Sequence, residues 1–126
     1  MKLITPEFEA LFKDYPLYSQ EHAKDPLIIC KLFDPCWSAT WFLLEYDPVE
    51  KIAFCYVTGL DEFGYTSLIE LESIERPFGL TIEQDLYFAQ KRLSEVKKLI
   101  GVRKQRLSLF SMIYFFLSSV KSSKIA

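Results

Sequence analysis

Hydrophobic residues recur along this chain in three rhythms: helical at the start, strand-like through the middle and nearly unbroken at the end. Thr5-Pro6-Glu7 opens the first helix. The Thr hydroxyl can accept a backbone N–H, Pro is tolerated in the first turn, and a carboxylate favours the positive end of the helix dipole. Phe8, Leu11, Phe12 and Tyr15 follow at helical spacing on one face, and Pro16 stops the helix near Asp14. The polar stretch from Ser19 to Asp25, which holds His22, is an exposed connection.

From Leu27 the apolar runs are short, β-branched or aromatic, and bounded by turn residues, which predicts strands over Leu27 to Phe33, Ala39 to Tyr46 and Lys51 to Thr58. Asp34-Pro35 and Asp47-Pro48 suit the links, since Asp can bond its own downstream backbone and Pro presets φ. Links this short predict an antiparallel meander. Gly59 and Gly64 bracket a loop from Leu60 to Phe63, and Tyr65 and Thr66 make a brief strand. Ser67 and Glu70 form a capping box ahead of a short helix, Leu68 to Glu75, that Pro77 ends. Leu80, Ile82, Leu86 and Phe88 alternate with Thr81, Glu83, Asp85 and Tyr87, which predicts one more half-buried strand with Gln84 on its apolar side. Leu93, Val96 and Ile100 give a last amphipathic turn or two, with Gly101 at C′. The expected fold is therefore α+β: an antiparallel sheet of four or five strands, an N-terminal helix, a short capped helix and C-terminal helices.

Leu107 to Val120 is an apolar run broken only by serines, flanked by Arg103, Lys104 and Arg106 on one side and Lys121 and Lys124 on the other. As a helix it would be about 21 Å long against a hydrocarbon core of roughly 30 Å, too short to span a membrane comfortably. Ile113, Tyr114, Phe115, Phe116 and Leu117 surround it with apolar surface, whereas a helix lying on a membrane keeps a polar face. Packing against protein is the preferred expectation, including a homo-oligomer through Leu107 to Val120. An interfacial membrane helix and an unevolved appendage are the alternatives.

Composition supports one core, with half of the 126 residues apolar and 16% aromatic. Charge then divides the chain. Residues 1–88 hold 6 Lys or Arg against 16 Asp or Glu, and residues 89–126 hold 9 against 1. The domain organisation expected is an acidic α+β domain over residues 1–100 and a basic, apolar, helical extension over 101–126. The negative part has the wrong sign for phosphate contact, so no direct nucleic-acid binding is expected. Such a surface suits either solubility or occupation of a DNA-binding protein by imitation of DNA charge.

Cys30, Cys36 and Cys55 are odd in number and lack C-x-x-C spacing, and His22 is the one histidine, so neither a zinc site nor a disulfide framework is indicated. Cys36 or Cys55 would need a base to act as a nucleophile, and only His22 offers one. No apolar leader follows Lys2, and a reducing cytoplasm is the expected setting. No phosphate loop, nucleophile elbow or metal helix is present. Glu45, Asp47, Asp61, Glu62, Glu70, Glu72 and Asp85 include the spacings that paired-acid chemistry uses, but at strand ends and turns such carboxylates usually cap or are solvated.

Four ordered segments resemble the bacterial domain of unknown function numbered 2958: Met1-Lys2-Leu3-Ile4-Thr5-Pro6-Glu7; Ala39-Thr40-Trp41 leading to Glu45-Tyr46-Asp47-Pro48; Phe63 to Leu68 running into Glu70-Leu71-Glu72-Ser73; and Asp85-Leu86-Tyr87-Phe88. The resemblance spans about residues 1–95. It implies small proteins carried on plasmids, phages and integrative elements, sometimes near antirestriction or DNA-processing genes, with no established activity and no catalytic residue to carry over. The pattern expects Arg before the Asp of the last segment, where this chain has Gln84. The extension from about Gly101 lies outside it.

Thr5-Pro6-Glu7 and Ser67 to Glu70 explain themselves as helix caps. Trp41, Glu45, Asp47, Tyr65 and Asp85 do not, and they form the candidate functional surface. The expected function is a non-catalytic protein-binding or regulatory module, without metal or cofactor, acting through its acidic surface on a DNA-processing or host-defence protein. One alternative is a small hydrolase that holds Mg²⁺ or Ca²⁺ with Glu45, Asp47 and Asp85. Another is a structural dimer held by the C-terminal helix.

Overall fold

The computed structural model describes residues 2–59 and 61–106. The chain divides into two units, Met1–Leu93 and Ser94–Ala126. The first contains α1 (Pro6–Leu11), α2 (Leu68–Ser73) and seven strands: β1 (Leu27–Ile28), β2 (Cys30–Phe33), β3 (Thr40–Asp47), β4 (Ile52–Val57), β5 (Glu62–Ser67), β6 (Glu83–Gln84) and β7 (Lys91–Arg92). The expected α+β class holds, with a five-stranded antiparallel sheet in the order β5-β4-β3-β2-β6 and a two-stranded sheet of β1 and β7.

Both helix starts follow from their caps. Thr5 is extended and its hydroxyl accepts the Phe8 N–H at 3.1 Å, while Ser67 accepts the Glu70 N–H at 3.3 Å. Each helix is shorter than expected: α1 yields to turns from Phe12, ahead of Pro16, and α2 stops at Ser73 rather than Glu75. Glu72 has a second task, accepting the Leu3 and Ile4 N–H groups at 3.2 and 3.0 Å and so tying the N-terminal segment to α2.

The two faces of the main sheet differ in kind. Side chains alternate across a strand, and the pairing register puts Cys30, Leu32, Trp41, Leu43, Ala53 and Cys55 on one face. This inner face meets Phe8, Phe12, Leu68 and Leu71 in the core. Between Leu43 and Glu45 the register shifts by one, a β-bulge at Leu44. The extra residue reverses the alternation beyond it, so Tyr46 turns into the core, 1% exposed, and Glu45 turns to the outer face.

On the inner side the Glu9 carboxylate accepts the Tyr46 hydroxyl at 2.7 Å and Lys51 Nζ at 2.8 Å. The Lys51 bond, ahead of the Tyr46 bond, holds the Glu9 pKa below its ordinary 4.5, and burial ahead of Glu9 pushes the Tyr46 hydroxyl up. A carboxylate lowered in this way stabilises the fold fully above 4.5 and ceases to do so as pH falls through the lowered value. Glu9→Gln is expected to remove that dependence. Urea unfolding should show the stability gap between wild type and variant shrinking from about pH 6 to about pH 3; a constant gap contradicts the pairing.

Several sequence expectations need correction. The single strand Leu27 to Phe33 is two, because Leu27 and Ile28 pair with Arg92 and Lys91 whereas Cys30 to Phe33 pair with β3. Glu62 and Phe63, expected in a loop, belong to β5. Of the strand Leu80 to Phe88 only Glu83 and Gln84 are paired, against Phe33 and Leu32. Thr81 makes an isolated bridge to Glu75, and Asp85 Oδ1 takes the Tyr87 N–H at 3.0 Å, a turn that ends the ladder and leaves Leu86 and Tyr87 exposed. Gly101 is not a helix stop, since α3 runs Leu93–Arg106. No helix among the described residues is long and apolar enough to cross a membrane. Leu107 to Val120, with the packing and oligomer expected of it, lies outside the described residues.

Candidate functional site

The outer face of the sheet is built from rings. Phe42, Phe54 and Tyr56 project from β3 and β4, and Phe63 and Tyr65 from β5, as the register requires. The rings form one ladder. Tyr65 lies 5.1 Å from Phe54, Phe54 stacks on Phe63 at 5.6 Å and 7°, Phe63 meets Tyr56 at 5.5 Å, Tyr56 meets Phe42 at 6.5 Å, and Phe42 meets Phe88 at 6.2 Å. These separations are those of mutually attractive aromatic pairs. Phe42 and Tyr56 are buried, while Phe63 and Tyr65 on the edge strand are 47% and 57% exposed.

Carboxylates frame the exposed end. The Tyr56 hydroxyl donates to Asp61, and burial together with that bond pushes its pKa up to about 12. Glu62, exposed immediately before Phe63, pairs with Val57 and projects to the opposite face. Glu45, only 3% exposed, accepts the Tyr18 N–H at 2.9 Å and the Gln20 N–H at 2.8 Å. These bonds hold Tyr18 at φ 72°, a left-handed backbone that a bulky residue adopts only when its surroundings impose it. The Gln20 amide fastens the same loop by donating to the Leu27 and Leu44 carbonyls, the second being the carbonyl of the bulge. Tyr18 is thereby brought to Tyr65, whose hydroxyl is raised by desolvation, by its bond to Tyr18, and by the charges of Glu45 and Glu21.

The five residues singled out from sequence are distributed unevenly over this face. Glu45 and Tyr65 come together at its exposed end. Asp47 is on the same face but caps its own turn, accepting the Val49 N–H at 2.9 Å. Asp85 holds the Tyr87 N–H and pairs with Lys31 at 3.6 Å. Trp41 is on the inner face, half-buried against the core. Glu45, Asp47 and Asp85 therefore each serve backbone amides, and among the described residues no group of three or more His, Cys, Asp or Glu is placed to hold a metal ion. Tyr18, Phe54 and Phe63 were not foreseen as part of a site. The i, i+2 spacing of Phe54 with Tyr56 and of Phe63 with Tyr65 is the signal that marks the rings.

The thiols supply no nucleophile in the core. Burial pushes Cys30 and Cys55 up to about 12, and His22 is exposed beside Glu21. A cleft of about 450 Å³ lies between the start of α1 and the segment after β6. Thr5, Glu7, Gln84, Asp85 and Phe88 are on its walls, so the first and last of the four family-like segments converge there.

The family described as "Protein of unknown function (DUF2958)" matches residues 3–101, which takes in both the ring face and the cleft. No curated protein and no solved structure matches the chain.

Proposed function

We propose that this chain, which belongs to the DUF2958 family, is a non-catalytic protein-binding module that acts on a DNA-handling or host-defence protein through its acidic domain. The observation that carries this proposal is the half-exposed ring cluster of Phe63 and Tyr65 on a domain with 16 acidic and 6 basic residues up to residue 88. Clustered aromatic side chains with a charged rim are the composition of interface cores, whereas apolar residues scattered singly over a surface carry no such meaning. The acidic surround favours a basic partner face, the kind that DNA-handling proteins present. A bacterial mobile genetic element is the setting that the family resemblance implies, and a reducing cytoplasm is the one that the cysteine pattern favours.

Capture from bacterial lysate at low salt tests the proposal, with the full chain compared with its Phe63→Ala/Tyr65→Ala variant. A protein retained by the wild type and released by the variant is the expected result. Equal retention by both, or recovery of nothing at low salt, contradicts it.

A further inference from the structure

We propose that the exposed ring cluster binds the cationic side chains of a basic, extended peptide segment, with Phe54, Phe63 and Tyr65 as the π surfaces and Glu21 and Asp61 as the charged rim. This deepens the protein-binding role and rests on it, naming the chemical class of the partner. Ring faces are negative and attract guanidinium and ammonium groups, Arg most of all. The fold already uses the device twice, with Lys91 Nζ 5.5 Å from the centroid of Phe88 and the Arg76 guanidinium 5.7 Å from that of Trp37.

Charge selects a cation. Asp61 is held at the edge of the rings by the Tyr56 hydroxyl, and the charge of Glu21 is felt at Tyr65. Three of the six cations up to residue 88, Lys31, Lys51 and Arg76, are committed elsewhere, to Asp85, Glu9 and Asp34. The same carboxylates repel phosphate, which excludes a nucleic-acid strand as the occupant.

Spacing selects an extended segment. Phe63 and Tyr65 are two apart on β5, the edge strand of the sheet, so both point to the outer face roughly 7 Å from one another. Alternate side chains of an extended peptide have the same repeat, so two basic residues separated by one other residue match the two rings. The platform is preformed, because Glu45 fixes Tyr18 beside Tyr65 and Phe54 stacks on Phe63, and a preformed site loses little entropy on binding.

The test uses the full chain and two labelled peptides, one alternating Arg with Val and one with Glu in place of Arg, followed by fluorescence anisotropy at low and at physiological salt. The Arg peptide is expected to bind and the Glu peptide not. Phe63→Ala/Tyr65→Ala should weaken the Arg peptide by about tenfold or more. Asp61→Asn should weaken it and flatten its salt dependence; Asn keeps an acceptor for Tyr56 and tolerates the left-handed backbone at residue 61, where φ is 51°. All three positions are exposed, and unchanged thermal unfolding verifies that the variants fold. If the ring variant binds the Arg peptide as tightly as wild type, the inference is overturned while an acidic protein-binding surface still stands. If neither peptide binds and the ring variant loses self-association instead, the occupant is a second copy and the inference is likewise overturned.

Discussion

Glu45→Ala should lower the stability of the domain by about 3 kcal/mol, since it strips a buried carboxylate from two backbone amides and hydrogen bonds to charged groups are worth about 1.5–3 kcal/mol each. Tyr18 and Gln20 lose their acceptors at 2.9 and 2.8 Å, and nothing then holds Tyr18 in left-handed backbone. For a unit of this size such a loss corresponds to a fall in Tm of roughly 12–24 °C. Glu45→Gln keeps one acceptor oxygen and should lose less. The effect should also reach function, because the loop that brings Tyr18 to Tyr65 is released, so binding at the ring face weakens in the variant even at temperatures where it remains folded. Urea unfolding of the two variants measures the stability effect. A loss below about 1 kcal/mol for the Ala variant would mean that water replaces the carboxylate and that the loop is held by other contacts.

Phe8→Ala should cost about 3–5 kcal/mol, the range for deleting a buried aromatic side chain. Phe8 is 1% exposed and its ring lies 5.2 Å from Phe12 and 5.1 Å edge-on from Tyr46. Truncation removes both ring contacts and opens a void beside the cleft that Phe8 helps to line. Leu11→Ala, at a position 39% exposed one turn further on, should cost less than about 1 kcal/mol. Comparable losses at the two sites would contradict the assignment of Phe8 to the core.

What the sequence disclosed and what it hid differ by the range of the forces involved. Thr5 and Ser67 announce their helices because a cap is satisfied within three residues. The β3–β4 hairpin is equally legible, since Asp47-Pro48 sets the turn and the flanking rings set the strands. The Leu44 bulge is not local in this sense. Strict alternation through Leu43-Leu44-Glu45-Tyr46 puts Glu45 on the face of Leu43, and only pairing with β4 shows that the extra residue turns Tyr46 inward and Glu45 outward. Alternation likewise misleads from Leu80 to Phe88, where the pattern is present but β2 offers just Leu32 and Phe33 as ladder partners. Gly101 has the composition of a helix end without the left-handed backbone that would make it one.

The candidate site was half visible for the same reason. Glu45 and Tyr65 stood out in the family-like segments and do meet at the outer face. Trp41, from the same segment as Glu45, lies on the opposite side because the bulge falls between them. Tyr18 belongs to a stretch whose polarity marks it as a mere connection, and it joins the site only through a carboxylate 27 residues away in sequence.

On the proposed function, the outer ring face, rather than the cleft beside α1, is where this domain engages its partner. Mapping backbone amide shifts of the labelled full chain during titration with the Arg peptide tests it most directly. The perturbed amides should cluster on Tyr18 to Glu21, Phe54 and Asp61 to Tyr65. Perturbations centred instead on Thr5, Glu7, Gln84 and Asp85, at the walls of the cleft, would contradict it.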